Sequence, residues 1–144
     1  MPNPTRSARR LRNLCATALL APLGVLAADL QLQVVDGPDA PATLYVALFD
    51  SADSYQANTM LAAQTVRMKS GTAKVSFPGL APGRYALRVF ADENGNGKLD
   101  TNPMGLPTER YGFSNDAKGH RGAPGFDAAA IRLDGDLQAI IHLR

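Results

Sequence analysis

The residues from Asp92 to Asn102, DENGNGKLDTN, place oxygen-bearing side chains at alternate positions around two glycines. Calcium takes roughly six to eight hard oxygens, which a loop supplies from Asp and Asn side chains at alternate positions and one backbone carbonyl. With Asp92 as the first position, Asn94 falls third, Asn96 fifth, Lys98 seventh by its carbonyl and Asp100 ninth. Gly97 takes the sixth place, where such a loop turns sharply. The twelfth place, which should carry a bidentate Glu, is Pro103, and the run leading in, YALRVFA, reads as a strand. An EF-hand is thereby excluded. Two readings stay open: a Ca²⁺-stabilised loop held by Asp92, Asn94, Asn96, Lys98 and Asp100, or an Asx-turn cluster whose side chains satisfy their own backbone.

Catalytic chemistry finds less support. The two histidines are His120, flanked by Gly119 and Arg121, and His142, in a terminal strand where alternation points it to solvent or an edge. Phosphate-cradling loops, G-x-S-x-G and H-E-x-x-H are all absent. Ser114 has no base near it in sequence, and Asp92 with Glu109, or Asp116 with Asp127, would form a carboxylate pair only if the fold brought them together. No catalytic residue is assigned, and the chain reads as non-enzymatic. Recognition is better served: Tyr111, Phe113, Asn115, Arg121 and Phe126 are the residue types that binding loops use. An envelope protein or a glycan is the expected partner class.

The elements that must position these residues are strands. Ala28–Val35 puts Leu30, Leu32 and Val34 on one face against Gln31 and Gln33. Thr43–Phe49 sets Leu44, Val46 and Leu48 against Tyr45, Ala47 and Phe49. Leu61–Met68 and Thr72–Phe77 flank a hairpin signal, Lys69-Ser70-Gly71. Arg84–Ala91 alternates Tyr85, Leu87 and Val89 with Arg84, Ala86 and Arg88. Ala128–Leu133 and Leu137–Leu143 flank a second signal, Asp134-Gly135-Asp136. About seven strands with little helical periodicity predict an all-β fold, an antiparallel immunoglobulin-like or transthyretin-like β-sandwich. A helical turn is expected within Ser51–Ala63. Thr101–Asp127 reads as a long ordered loop, because its aromatic residues can pack as a flap on the sandwich. The run LAPGRYALRVF resembles the strand entry of secreted transthyretin-like and carboxypeptidase regulatory-like domains, where the Tyr hydroxyl returns to nearby backbone.

The first 27 residues read as a removable secretory leader. Arg6, Arg9, Arg10 and Arg12 form a basic start, Leu14–Ala27 is apolar, and Ala27-Ala28 offers a cleavage site. Pro22 and Gly24 break the apolar run, which is shorter than the ~20 residues a membrane span needs. Cys15 follows Leu14 rather than the small residue a lipoprotein site requires. Removing those four arginines from 15 basic residues leaves 11 against 13 acidic ones, so residues 28–144 carry a net charge near −2. Such a balance gives no basic surface for nucleic acid. The single Cys leaves with the leader, so one domain of about 115 residues must hold itself together by packing alone.

One resemblance is more specific. VFADENGNGKLDTNPMGLPTERYGFSNDAKG, continued by GAPGFDAAAIRL, is similar to the bacterial exported family called Domain of Unknown Function 2141, over roughly residues 43–133. The resemblance implies a periplasmic or secreted β-sandwich and brings no activity with it. That family tends to place two acids after the Phe, whereas Ala128 follows Asp127 here. The expectation is therefore an exported, non-enzymatic binding or accessory module of the cell envelope, with calcium as the one candidate cofactor.

Overall fold

The computed structural model describes residue 24 and residues 26–144. The leader expected over residues 1–27 lies outside them, save for three residues at its end. Among the described residues eight strands form: β1 (Ala28–Val35), β2 (Thr43–Phe49), β3 (Ala62–Arg67), β4 (Ala73–Leu80), β5 (Gly83–Asp92), β6 (Tyr111–Phe113), β7 (Ile131–Leu133) and β8 (Leu137–His142). They make two sheets, one ordered β4-β1-β8 and the other β3-β2-β5-β6, with β7 pairing the start of β5 outside that order. Alternation decides which face is buried. Leu30, Leu32 and Val34 of β1 meet Leu44 and Leu48 of β2 and Leu87 of β5, all at most 2% exposed, in one core between the sheets. The all-β sandwich expected from the strand pattern is what the chain builds.

Several local expectations are corrected. The sandwich is not wholly antiparallel, because β8 runs parallel to β1. Neither turn signal joins paired neighbours within a sheet. Lys69 and Thr72 exchange backbone hydrogen bonds of 3.0 Å in a tight turn, but β3 then pairs with β2 while β4 pairs with β1. Asp134–Asp136 likewise carries the chain from β7, on β5, to β8, on β1. Both turns are corners between sheets, which local turn chemistry cannot tell from hairpins. The strand expected over Ala128–Leu133 is only β7, preceded by a short helix α2 (Phe126–Ala129). The long loop is interrupted by β6, a strand too short to show a period.

Other expectations hold. The helical turn is α1 (Ala52–Gln56), started by Ser51, whose hydroxyl and backbone exchange hydrogen bonds with Ser54 in a capping box. Tyr85 donates its hydroxyl to the Ala81 carbonyl at 2.7 Å, as the corner motif implies. Burial, with the Asp50 charge added, raises the Tyr85 pKa and keeps the phenol a donor.

A second apolar cluster lies on the outer side of the five-stranded sheet. Phe49, Ala86 and Phe113 there pack against Tyr55 of α1 and Phe126 and Ala129 of α2. Tyr55 meets Phe49 and Phe126 edge-on at 5.2 and 5.9 Å, and its hydroxyl donates to the Pro124 carbonyl at 3.0 Å. Ser114 ties this cap to the sheet, accepting from Leu87 N–H at 2.9 Å and donating to the Ala129 carbonyl. Gly112 lets β6 close against β8, since a Cβ there would sit 2.6 Å from Ile141.

Candidate functional site

The register of the larger sheet builds a candidate site on its outer face. Thr65, Tyr45, Phe90 and Tyr111 are successive cross-strand partners on β3, β2, β5 and β6, so three aromatic rings stand in one rank. Two residues further along β2, the next rank reads Ala63, Ala47, Arg88 and Phe113. Small residues beside large ones leave a trough. Its far wall is the connection from α1 to β3, with Asn58 and Met60. The result is a cleft of about 560 Å³, within the roughly 300–1,000 Å³ typical of small-molecule sites.

Arg88 is the one charged residue among the described residues lining the cleft. Its guanidinium lies 3.7 Å from the Tyr55 ring centre and 4.9 Å from that of Phe49. It donates to the Tyr55 carbonyl at 2.8 Å and to Asn58 Oδ1 at 3.1 Å, both neutral acceptors. Its Nε–H is buried with no acceptor. Among the described residues the ion pairs are Arg84–Asp127, Arg132–Asp134 and His142–Asp116, so Arg88 has no carboxylate partner. Tyr45 and Phe90 stack nearly parallel, with centroids 4.9 Å apart.

The polar loop borders this cleft through Gly97 and Leu99. Asp92, the last residue of β5 and 2% exposed, shapes the loop from below. Its carboxylate accepts from the N–H groups of Gly95 and Gly97, both at 2.7 Å. Burial pushes its pKa up, but the N–H groups of Gly97, Gly95, Asn96 and Asn94 outweigh that and hold it below the ordinary carboxylate value. Gly97 has φ +74°, a left-handed backbone that favours glycine, and a Cβ there would sit 3.4 Å from the Tyr45 hydroxyl. Asn94 Oδ1 accepts from Asn96 N–H at 3.1 Å and Asn96 Oδ1 from Lys98 N–H at 2.9 Å, successive Asx turns. The side-chain amides of Asn94 and Asn96 both donate to Asp100. Glu109 completes the clamp: its two oxygens take Glu93 N–H at 2.9 Å and Asp100 N–H at 3.1 Å, joining both ends of the loop.

The five expected calcium ligands are thus on one loop, and Asn94, Asn96 and Asp100 meet. Two carboxylates, two amide oxygens and a carbonyl are a calcium-type donor set, although several of those oxygens already accept hydrogen bonds from the loop. Among the described residues no three His, Cys, Asp or Glu side chains form a metal-sized group, so any ion would depend on the amides and the carbonyl.

The five expected ligand-binding residues do not form one patch. Tyr111 and Phe113 line the cleft. Phe126 is buried in the cap, and Asn115, at φ +59°, donates its amide to the carbonyls of Ala128 and Ala130 at 3.3 and 2.8 Å. Arg121 is exposed on the loop beyond. Sequence reasoning missed Tyr45, Phe90 and Arg88 as site residues. Their signal was present: Tyr45 and Phe90 are aromatic at the phase of their strands that a sandwich leaves outside.

The family model described as "Uncharacterized protein conserved in bacteria (DUF2141)" matches residues 33–141. The chain belongs to that family. The match contains both ranks of the cleft and the whole polar loop, so the DUF2141 region and the sandwich are nearly coextensive. Neither the curated proteins nor the solved structures compared with the chain give a match. Where the resemblance implied a second acid, Ala128 is exposed beside Asp127, which pairs with Arg84 at 2.8 Å on the surface. That position is not among the cleft residues.

Proposed function

We propose that this DUF2141 protein is an exported, non-enzymatic binding module of the cell envelope, periplasmic or secreted, whose outer-face cleft receives the ligand. The observation that carries the reading is the rank Tyr45–Phe90–Tyr111 standing open beside Ala47 and Ala63, with Arg88 in the same cleft. That it is non-enzymatic is part of the proposal; among the described residues lining the cleft there is no carboxylate, imidazole, serine, thiol or lysine. Several of the side chains considered for such chemistry are engaged elsewhere. Asp92 and Glu109 hold loop backbone, Ser114 holds the cap, and His142 Nδ1 pairs with Asp116 at 2.8 Å. No helix among the described residues is long and apolar enough to cross a membrane.

The test is a thermal-shift panel of sugars, amino acids, aromatic acids and envelope glycans, run on the full chain and on Ala63→Trp, which fills the trough from an exposed position. A ligand selective for the folded state raises the midpoint. At least one panel member is expected to do so in the wild type and not in the variant. A panel without effect, or with equal effects on both proteins, contradicts the reading.

A second reading concerns the loop, whose calcium-type spacing brings the Asn94 and Asn96 side chains to Asp100; a weak Ca²⁺ site would need those amides to turn their oxygens toward the ion in place of the N–H groups that now meet Asp100. Asp92, Asn94, Asn96, Asp100 and the Lys98 carbonyl would hold the ion, which would supply charge neutralisation and nothing catalytic. Millimolar Ca²⁺ is expected to raise the melting midpoint above that in EDTA. Equal midpoints leave the self-satisfied Asx cluster as the full description of the loop.

A further inference from the structure

We propose that the ligand of the outer-face cleft is a small apolar carboxylate: a body about the size of one or two rings, bearing a single negative charge that Arg88 receives. The inference rests on the cleft being a binding site and adds the chemistry of what it binds. Three observations lead to it.

The first is charge. Among the described residues lining the cleft Arg88 alone is charged, and no described carboxylate pairs with it. A guanidinium has five N–H donors in a planar fork suited to carboxylate oxygens. Two are used here, on the Tyr55 carbonyl and the Asn58 amide, neither of which neutralises the charge. A cation held against two aromatic rings and partly withdrawn from water is attracted more strongly to an anion than an exposed one. The Tyr55 and Asn58 contacts also fix its position, so an arriving anion meets a pre-ordered donor.

The second is shape. Ala63 and Ala47 floor the trough, and the aromatic rank and Met60 wall it. This is an apolar slot bounded by the polar loop at Leu99, and its volume of about 560 Å³ suits a small molecule rather than a polymer.

The third weighs against a neutral sugar. Sugar recognition uses open ring faces and several hydrogen-bonding side chains. Tyr45 and Phe90 each spend a face on the other at 4.9 Å, and the lining is mostly hydrocarbon. A free small acid and the carboxyl terminus of a peptide share the required chemistry.

Calorimetric titration of the full chain with paired probes decides between these. Naphthalene-2-acetate is compared with naphthalene-2-acetamide, and N-acetyl-Ala-Phe with its C-terminal amide. The carboxylate of at least one pair is expected to bind about tenfold or more tightly than its amide, the scale of one charge-assisted hydrogen bond. Preference within the naphthalene pair alone assigns a free acid, and preference within the peptide pair assigns a carboxyl terminus. Arg88→Met should reduce the carboxylate to the level of the amide. Should that variant fail to fold, Ala63→Leu, at an exposed edge position, should weaken both members of the pair, and the wild-type ratio alone decides the charge claim. Equal affinities for carboxylate and amide overturn the anion assignment and leave the cleft standing. No binding by any of the four probes overturns the carboxylate assignment, whereas the cleft reading falls separately if the Ala63→Trp panel is also without effect.

Discussion

The two sheets of this sandwich differ most on the faces they turn outward. The three-stranded sheet presents Gln31, Gln33, Lys74, Ser76 and Gln138, with Gln31 and Ser76 hydrogen-bonded across strands at 2.8 Å. The five-stranded sheet presents Tyr45, Ala47, Phe49, Phe90, Tyr111 and Phe113. A sandwich needs only its inner faces to be apolar, so the second outer face carries apolar surface beyond what the fold requires. Half of that surface, around Phe49 and Phe113, is sealed by α1 and α2 into a second core. The other half, around Tyr45 and Phe90, stays open beside the polar loop. One sheet face is thus simple surface, and the other is divided between a sealed second core and the open cleft proposed for recognition.

The largest expected effect tests whether the cap is a true second core. Phe49→Ala removes a fully buried ring and should cost about 3–5 kcal/mol in urea unfolding, as much as a large-to-small change between the sheets such as Leu32→Ala. A cost below about 1 kcal/mol would mean that the cap contributes little and that the two outer faces are alike. Next comes the clamp under the loop. Glu109→Ala leaves the part-buried N–H groups of Glu93 and Asp100 without their charged acceptor and should cost about 1–3 kcal/mol. Exchange of the loop amides should quicken in this variant while β1 amides are unchanged.

Acid acts on the same region. Asp92 and Asp116 both have carboxyl pKa values held below the ordinary range. For Asp116, burial opposes the shift, and hydrogen bonds from His142 with the charges of His142 and Arg144 outweigh it. A lowered folded-state pKa stabilises above the unfolded value, near ~3.9 for Asp, and that contribution is lost as pH falls through the folded-state value. The melting midpoint should therefore decline as pH drops below about 4, and Asp92→Asn should flatten the decline. An Asp92→Asn protein with the wild-type acid profile would show that the loop does not gate acid stability. The smallest effects separate the outer faces directly. Tyr45→Ala loses one stacked partner and should cost about 1 kcal/mol, whereas Gln33→Ala should stay within about 0.5 kcal/mol.

The strands were legible because burial on one face imposes a period of two, and the polar phase of β1 and the apolar phase of β5 stand plainly in the residues. Which strands pair was not, since Lys69–Gly71 and Asp134–Asp136 have the same turn chemistry whether the chain stays in its sheet or crosses. β6 was invisible at three residues, yet it supplies Tyr111 to the aromatic rank. The polar loop was legible in position and spacing. Glu109, nine residues beyond Asp100, could not be placed beneath it without the fold. The cleft joins residues from four strands through register, and register is a long-range property that no local spacing encodes. Its trace was aromatic residues at the phase of β2 and β5 that a sandwich leaves exposed.

The contrast between the two outer faces is most directly tested by mapping backbone amide shifts of the ¹⁵N-labelled full chain during titration with naphthalene-2-acetate. Shifts are expected to concentrate at Tyr45–Ala47, Arg88–Phe90 and Tyr111–Phe113, with Gln31, Gln33 and Gln138 unmoved. Shifts centred on the three-stranded sheet, or on neither face, would contradict that contrast.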